Sequence, residues 1–268
     1  MALLFHHISI PNPNDFILRL GLCSYITNLS NTNHYCIMKG DMPQFSLITF
    51  DCYGTLIDWE QGMKNALKGL LEGRGLSFDI ESMPQRYIEI EMKVEQEGYH
   101  KYKDVLAIGV RRLFKEKGIK LTSQEKRIFA DTIIGWPPFE ETTEVLRSLR
   151  EKHKLVILSN IDDDLIQHSI NLIGVDFDGV ITAERVKSYK PSYGHWKNMM
   201  ESFKVPKEYV LHVAASYEHD IVPAKELGFT VAWINRKDEK VRGDIKPDYE
   251  FKDLRPLINL LEKRCDSK

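Results

Sequence analysis

The pattern of hydrophobic and polar residues changes sharply at residue 45. Residues 1–44 are rich in Asn, Ser and His and show no sustained period. From residue 45 onwards, apolar residues occur either in short runs or at helical spacing. We expect residues 1–44 to be a poorly ordered N-terminal extension without a catalytic role. Two other interpretations are a docking arm, and translation upstream of a true start at Met38 or Met42.

Five short apolar runs predict buried β-strands. They lie at residues 45–52, 154–158, 179–182, 209–214 and 230–234. Helical patterns follow the later strands, at residues 162–172, 195–202, 221–227 and 257–263. Strands that alternate with helices predict an α/β fold, with a doubly wound parallel sheet covered on both faces.

The first two predicted strands are separated by a long helical segment. Helical patterns dominate residues 61–132, and Gly135, Trp136 and two prolines break them. An insert of roughly 75 residues is far longer than an ordinary crossover connection. We therefore expect an α/β core formed by residues 45–60 and 137–263, with residues 61–136 as a separate helical cap domain.

Composition narrows the range of partners. The net charge is −2, so a nucleic-acid or anionic-membrane partner is not expected, and no apolar stretch is long enough to span a bilayer. The four cysteines follow no zinc-binding spacing and suit a reducing cytoplasm, where we place the protein. They are Cys23, Cys36, Cys52 and Cys265.

Polar side chains gather where the predicted strands end. In an open parallel sheet, the chemistry lies at the carboxyl ends of the strands. Taken singly, each such residue is ordinary turn or helix-cap chemistry, but four successive strand ends together predict a catalytic site. The candidates are Asp51 and Thr55 after the first strand, Ser159 and Asn160 after the second, Lys190 after the third, and Asp220 after the fourth.

The residue types suggest their roles. An ionised carboxylate such as Asp51 is a nucleophile when it is aimed at electrophilic carbon or phosphorus. Lys190 would keep it ionised, and Asp220 would either pair with Lys190 or activate water. Hydroxyl and amide groups at the remaining positions would orient the anionic group of a small substrate.

These segments resemble the four motifs of the haloacid dehalogenase superfamily. Residues 50–56 are similar to its first motif, and Ser159-Asn160, Lys190-Pro191 and Asp220 are similar to the second, third and fourth. The resemblance covers residues 45 to 262. It implies a Rossmann-like, flavodoxin-type core and a helical cap inserted after the first strand.

The residue two positions after Asp51 separates two branches of this superfamily. Its phosphatases carry an Asp there as general acid and base and bind Mg²⁺, whereas this chain carries Tyr53. A phenol with a pKa near 10 replaces that carboxylate poorly. The Asp-x-Tyr-Gly-Thr form instead resembles the L-2-haloacid dehalogenases, which displace halide from C2 with inversion and need no metal or other cofactor.

The resemblance assigns a role to most of the candidates. Asp51 attacks the carbon, and Lys190 anchors this nucleophile. Thr55 and Ser159 position Asp51 and the substrate carboxylate, while Asp220 helps a water molecule to attack the aspartyl ester.

On the leaving-group side, the resemblance places Asn160 and an arginine from the cap. Arg86 is the candidate arginine, although the interpretation favoured for this residue is a surface arginine on a helix. The chain departs from the dehalogenase pattern at Ala215, Tyr217 and Trp196, where Ser, Asn and Tyr are usual.

Three functions remain open from the sequence. The first is metal-independent cleavage of a C–X bond in a small 2-substituted carboxylic acid, without a cofactor. The second is a Mg²⁺-dependent small-molecule phosphatase, whose fourth motif has an Asp where this chain has Ala215. The third is an inactive binding module, which the cost of burying unused charges disfavours. By analogy with related enzymes, a homodimer is the assembly to test.

Overall fold

The sheet has six parallel strands in the order β3-β2-β1-β4-β5-β6. The structure is a computed structural model, and it describes residues 45–241 and 243–262. The prediction of a parallel, doubly wound sheet is confirmed, whereas the predicted extension at 1–44 lies outside the described residues. The strands are β1 Leu47–Phe50, β2 Lys154–Ser159, β3 Gly179–Thr182, β4 Val210–Ala214, β5 Thr230–Ile234 and β6 Tyr249–Phe251.

Helices cover the sheet and fill the interval between β1 and β2. In that interval lie α1 Trp59–Gly73, α2 Met83–Gln96, α3 Tyr102–Glu116, α4 Ile128–Thr132 and, just before β2, α5 Thr142–Arg150. The later helices are α6 Asp163–Ile173, α7 Ala183–Val186, α8 Gly194–Phe203, α9 Val222–Glu226 and α10 Pro256–Glu262. A π-helical turn, Tyr217–Ile221, leads into α9. No described helix has both the length and the apolarity required to cross a membrane.

The central strand β1 lies between β2 and β4. Its last residue, Phe50, pairs in register with Ile157 of β2 and Val213 of β4. All four residues of β1 are buried, as expected for a strand with helices on both faces. The chain winds outwards in opposite directions from β1 and β4, so a crevice opens at their carboxyl ends, where ligands bind in such sheets.

Three elements were missing from the sequence-based prediction, namely β6, α5 and the four-residue helix α7. Strand β6 is a three-residue edge strand, too short to show a hydrophobic period. Helix α5 carries Val145, Leu146 and Leu149 at helical spacing, so its signal was present in the sequence. The predicted helix at 221–227 is shorter as an α-helix, because a π-helical turn that begins at Tyr217 occupies its start.

Close packing among the helices between β1 and β2 depends on small residues. A Cβ atom at Gly62 of α1 would lie 2.2 Å from a ring carbon of Trp136. Trp136 is 3% exposed and packs edge-on against Phe129 of α4, with ring centroids 6.1 Å apart. Gly69, on the same helix, has no atom within 4 Å of the corresponding Cβ position.

These two glycines form a matched pair for mutation. Gly69→Ala should raise the free energy of unfolding by about 1 kcal/mol, because alanine is the better helix former. Gly62→Ala should lower it by about 1–3 kcal/mol, because the new methyl group overlaps the indole ring. Urea unfolding measures both changes. Equal effects of the two substitutions would contradict the observed packing of α1 on Trp136.

Candidate active site

Asp51 lies at the carboxyl end of β1, where the crevice opens. It is 6% exposed, and its backbone N–H donates to the carbonyl of Val213 at 3.0 Å. Gly54 then turns the chain with φ +97°, a conformation that side chains with a Cβ rarely adopt. The Gly54 N–H closes this turn on the Ile57 carbonyl at 2.8 Å. The loop therefore holds the Asp51 carboxylate at the centre of the sheet edge.

Lys190 joins two carboxylates in this crevice. Its Nζ donates to Asp51 Oδ1 at 2.9 Å, to Asp220 Oδ1 at 2.6 Å and to the Leu158 carbonyl at 3.0 Å. The residue is 2% exposed. One buried cation thus links the ends of β1, β2 and β4.

Asn160 fixes the backbone of Lys190. The Lys190 N–H donates to Asn160 Oδ1 at 2.7 Å, and Asn160 Nδ2 donates to the Lys190 carbonyl at 3.1 Å. Both backbone groups of the lysine are therefore satisfied by one side chain. This reciprocal pair connects the second and third predicted motifs.

The three charged groups have different protonation preferences. Burial raises the pKa of Asp51, although the Lys190 ammonium opposes this effect. Burial would also raise the pKa of Asp220, but Lys190 and the imidazole of His212 lower it to about 2. Burial alone would lower the pKa of Lys190, and the two carboxylates outweigh it, so this pKa is raised. Asp51 is thus the less stabilised carboxylate and the more basic one.

Thr55 controls the second oxygen of Asp51. Its hydroxyl donates to Asp51 Oδ2 at 2.8 Å and accepts a hydrogen bond from the Ala215 N–H, also at 2.8 Å. The threonine is completely buried. Since Lys190 binds the other oxygen, both carboxylate oxygens of Asp51 have a fixed orientation.

Two contributors to the site were not among the predicted residues. His212 of β4 contacts Asp220 Oδ1 through Nε2 at 3.1 Å and Thr49 Oγ1 through Nδ1 at 2.8 Å. Arg236, just after β5, donates to the backbone carbonyls of Gly54 and Thr55 at 3.3 and 2.9 Å. The sequence did carry a signal for His212. Thr49 and His212 are polar residues inside apolar strands, and they are register partners in the sheet.

Two buried oxygen atoms at the site have no hydrogen-bond partner among the described residues. They are the hydroxyl of Ser159, at the end of β2, and Oδ2 of Asp220. Leaving such an atom unpaired costs free energy, so each is a position where a bound molecule can supply the missing partner.

Tyr53 is not placed to act as a general acid or base. Its hydroxyl forms a 2.8 Å hydrogen bond with Ser169 of α6, and its ring packs edge-on against Trp136. Burial raises the pKa of Tyr53 well above its usual value. The phenol is therefore neutral and does not replace an acidic side chain.

The donor set does not suit a magnesium ion. Position 53 offers a phenol, position 215 a methyl group, and Lys190 already occupies oxygens of both Asp51 and Asp220. Among residues 45–241 and 243–262, no group of three or more His, Cys, Asp or Glu side chains is arranged as a metal site.

The prediction of Arg86 as a leaving-group arginine is wrong. Arg86 is exposed on α2, where it pairs with Glu89 and with Glu116 at 2.6 Å. It is a surface arginine, which was the interpretation favoured from the sequence. Tyr193, which follows the third motif, is also at the surface, where its phenol donates to Glu226 at 2.7 Å.

Comparisons with known proteins identify the family to which the chain is similar. The family model described as haloacid dehalogenase-like hydrolase matches residues 45–228. The chain is 26% identical over 240 residues to (S)-2-haloacid dehalogenase of Pseudomonas putida, covering 84% of this chain and 100% of that protein. It is 25% identical over 198 residues to haloacetate dehalogenase H-2 of Moraxella sp. (strain B), covering 73% and 88%.

A solved structure shows the same fold. The L-2-haloacid dehalogenase from Xanthobacter autotrophicus, with chloropropionic acid covalently bound, superposes with a TM-score of 0.71 at 21% identity. The match covers 81% of this chain and 98% of that structure.

The shared lysine leads to a prediction about stability. Lys190→Met should lower the free energy of unfolding by about 3–5 kcal/mol at pH 7, because it leaves two buried carboxylates without a cation. The deficit should shrink at pH 4, where these carboxyl groups become protonated in the variant. Lys225→Met removes a surface pair with Asp248 and should cost under about 1 kcal/mol at either pH. Urea unfolding of the three proteins at both pH values provides the comparison, and equal deficits for the two variants would contradict the assignment.

Proposed function

The chain belongs to the haloacid dehalogenase-like hydrolases, whose family model covers residues 45–228, and on that premise we propose that Asp51 is its nucleophile. The reaction is metal-independent cleavage of a C–X bond in a small 2-substituted carboxylic acid, through a covalent aspartyl ester. The observation that carries the proposal is the buried Asp51 carboxylate, whose two oxygens are oriented by Lys190 and Thr55.

The first half-reaction is an in-line displacement. An oxygen of Asp51 bonds to C2 of the substrate while the C2–X bond breaks on the opposite side, so C2 is inverted and X departs as an anion. The free Ser159 hydroxyl is the proposed donor to the substrate carboxylate. Asn160, which holds Lys190 in place, lies on the proposed leaving-group side.

The second half-reaction is hydrolysis of the ester. Water attacks the carboxyl carbon of Asp51, the bond from that carbon to the substrate oxygen breaks, and a 2-hydroxy acid leaves. Asp220 Oδ2, buried and unpaired in the described residues, is the proposed acceptor that orients this water. Lys190 keeps the Asp51 carboxylate ionised for the next cycle.

The residues at positions 53 and 215 favour attack on carbon over attack on phosphorus. Phosphoryl transfer to an aspartate uses an acid at position 53 and a metal ligand at position 215, by the family pattern. Here the phenol of Tyr53 is bound to Ser169, and Ala215 contributes its backbone N–H to Thr55. Displacement at C2 with halide as the leaving group requires neither group.

Residues 61–136 are the proposed cap domain over this crevice, above a core of residues 45–60 and 137–263. One contact supports a link between the two parts. The carboxylate of Asp162, two residues after Asn160, accepts hydrogen bonds from the N–H groups of Tyr102 and Lys103 at 2.8 and 3.0 Å. It thereby caps the N-terminus of α3.

A small anionic substrate, a reducing cytoplasmic location and a homodimer complete the proposal. The buried free thiol of Cys52 is consistent with that location.

A substrate panel tests the reaction class. The protein is incubated with L-2-chloropropionate, D-2-chloropropionate and p-nitrophenyl phosphate, each with EDTA or with Mg²⁺. We expect chloride release from the L-acid alone, at the same rate with EDTA, since no step uses a metal. Phosphate release that requires Mg²⁺ would replace this function with the phosphatase. Silence across all three substrates and a wider panel of small acids would favour an inactive module.

Asp51→Asn tests the nucleophile. The amide is a far weaker nucleophile, so turnover should fall by roughly 10⁴-fold or more while the protein stays folded. Asp58→Asn is the matched control, because Asp58 caps α1 and asparagine caps equally well. Turnover is measured as chloride release, and folding by circular dichroism. Wild-type turnover in a folded Asp51→Asn protein would exclude this mechanism.

A further inference from the structure

A histidine and a glutamate that belong to none of the four motifs meet at the turn that carries Asp220. His219 lies on the π-helical turn that follows β4, and its backbone N–H donates to Ser216 Oγ at 3.2 Å. Its Nε2 is 3.9 Å from Oε2 of Glu95, near the C-terminus of α2. The pair thus joins the crevice edge to a helix of the proposed cap.

The side chains of His219 and Glu95 are both largely buried, and the charge of Lys190 acts on both. The side chains of His219 and Glu95 are 22% and 8% exposed. The charges of Asp220, Lys190 and Asp51 all act on the His219 ring. Apart from Glu95, nothing in the described part of the chain pairs with the ring nitrogens of His219. The imidazole that precedes Asp220 in the chain thus contacts a carboxyl group of the proposed cap and feels the charge of Asp51.

Asp220 is poorly suited to accept a proton from water. Lys190 and His212 both bind its Oδ1, and they lower its pKa to about 2. A carboxylate with so low a pKa is a weak base at neutral pH. Its unpaired Oδ2 can still accept a hydrogen bond from water, which orients the molecule without deprotonating it.

His219 has the required protonation state. Burial disfavours the imidazolium and holds the pKa of His219 below its usual value near 6.5, so the ring is neutral at pH 7. The groups that act on it are Glu95 of α2, Lys190, and the carboxylates of Asp51, Glu218 and Asp220.

Glu95 complements the ring. Burial and the neighbouring Glu91 raise the pKa of Glu95 well above its usual value, whereas Lys190 and the Asn160 amide lower it. Its other neighbours are the phenols of Tyr87, Tyr102 and Tyr189. A buried carboxyl of this kind gains most from ionising when a cation forms beside it, and a protonated His219 is such a cation.

We propose that His219 is the general base for hydrolysis of the aspartyl ester, with Glu95 as the positioning residue that holds its ring. This inference rests on the proposed function. The His219 ring takes a proton from water as the water oxygen bonds to the carboxyl carbon of Asp51. The ester C–O bond then breaks, and the proton passes to the departing substrate oxygen. Asp51 is released as a carboxylic acid and loses its proton to solvent.

The test separates the two half-reactions in rapid-quench experiments with L-2-chloropropionate. In His219→Asn, ester formation should keep its rate while hydrolysis slows by about 10²-fold or more. Chloride should therefore appear in a burst of one equivalent per active site, followed by a slow phase. Intact-protein mass spectrometry should show the ester accumulating. Glu95→Gln should give a smaller change of the same kind and move the acidic limb of the hydrolysis rate to lower pH, because it removes the carboxylate that favours imidazolium.

His168→Asn, an exposed histidine of α6, is the control and should behave as wild type. Wild-type hydrolysis in folded His219→Asn, or slower chloride release without ester accumulation, would overturn the proposal. Should His219→Asn fail to fold, Glu95→Gln decides the question: an unchanged rate and pH profile would overturn it. Wild-type chloride release is measured first, so that failure of the proposed function itself is a separate and recognisable result.

Discussion

The site depends on one buried ammonium group shared by two carboxylates. Lys190 draws Asp51 and Asp220 together at the switch point of the sheet, with Asn160 securing the lysine backbone. Burying three charges is expensive, and their attraction offsets the cost only when the geometry is good and the remaining lone pairs are satisfied. Thr55 and His212 supply much of that satisfaction. A structural role alone would be met as well by apolar packing, so retention of this cluster points to chemistry.

The residues around that cluster favour attack on carbon over phosphoryl transfer. A neutral phenol and a methyl group stand where a phosphoryl-transfer enzyme of this family has a general acid and a metal ligand. Tyr53 is directed to Ser169, and the backbone of Ala215 to Thr55. What remains for a ligand is the hydroxyl of Ser159 and one oxygen of Asp220, a donor and an acceptor without partners in the described residues. This pair fits an anionic acid and a water molecule.

Much of this arrangement could be predicted from the sequence, because carboxyl ends of neighbouring parallel strands must lie together. Apolar runs located the strands, and the residues after them converge as expected. The contacts of the helices were harder to predict, because helical spacing shows which residues share a face but not what that face contacts. Arg86 and Glu95 lie on one helix, and only packing reveals that the arginine is at the surface while the glutamate meets His219. Arg236 supports the nucleophile loop from a strand end that carries no motif.

The central claim is that Asp51, and not water, attacks the substrate. The most direct measurement is a single turnover in heavy-oxygen water, with enzyme in excess, followed by mass spectrometry of the peptide that contains Asp51. Water attacks the carboxyl carbon of the ester, so one labelled oxygen should enter the Asp51 side chain and the product should be unlabelled. Label found only in the product would mean direct attack by water on the substrate, and would contradict the account.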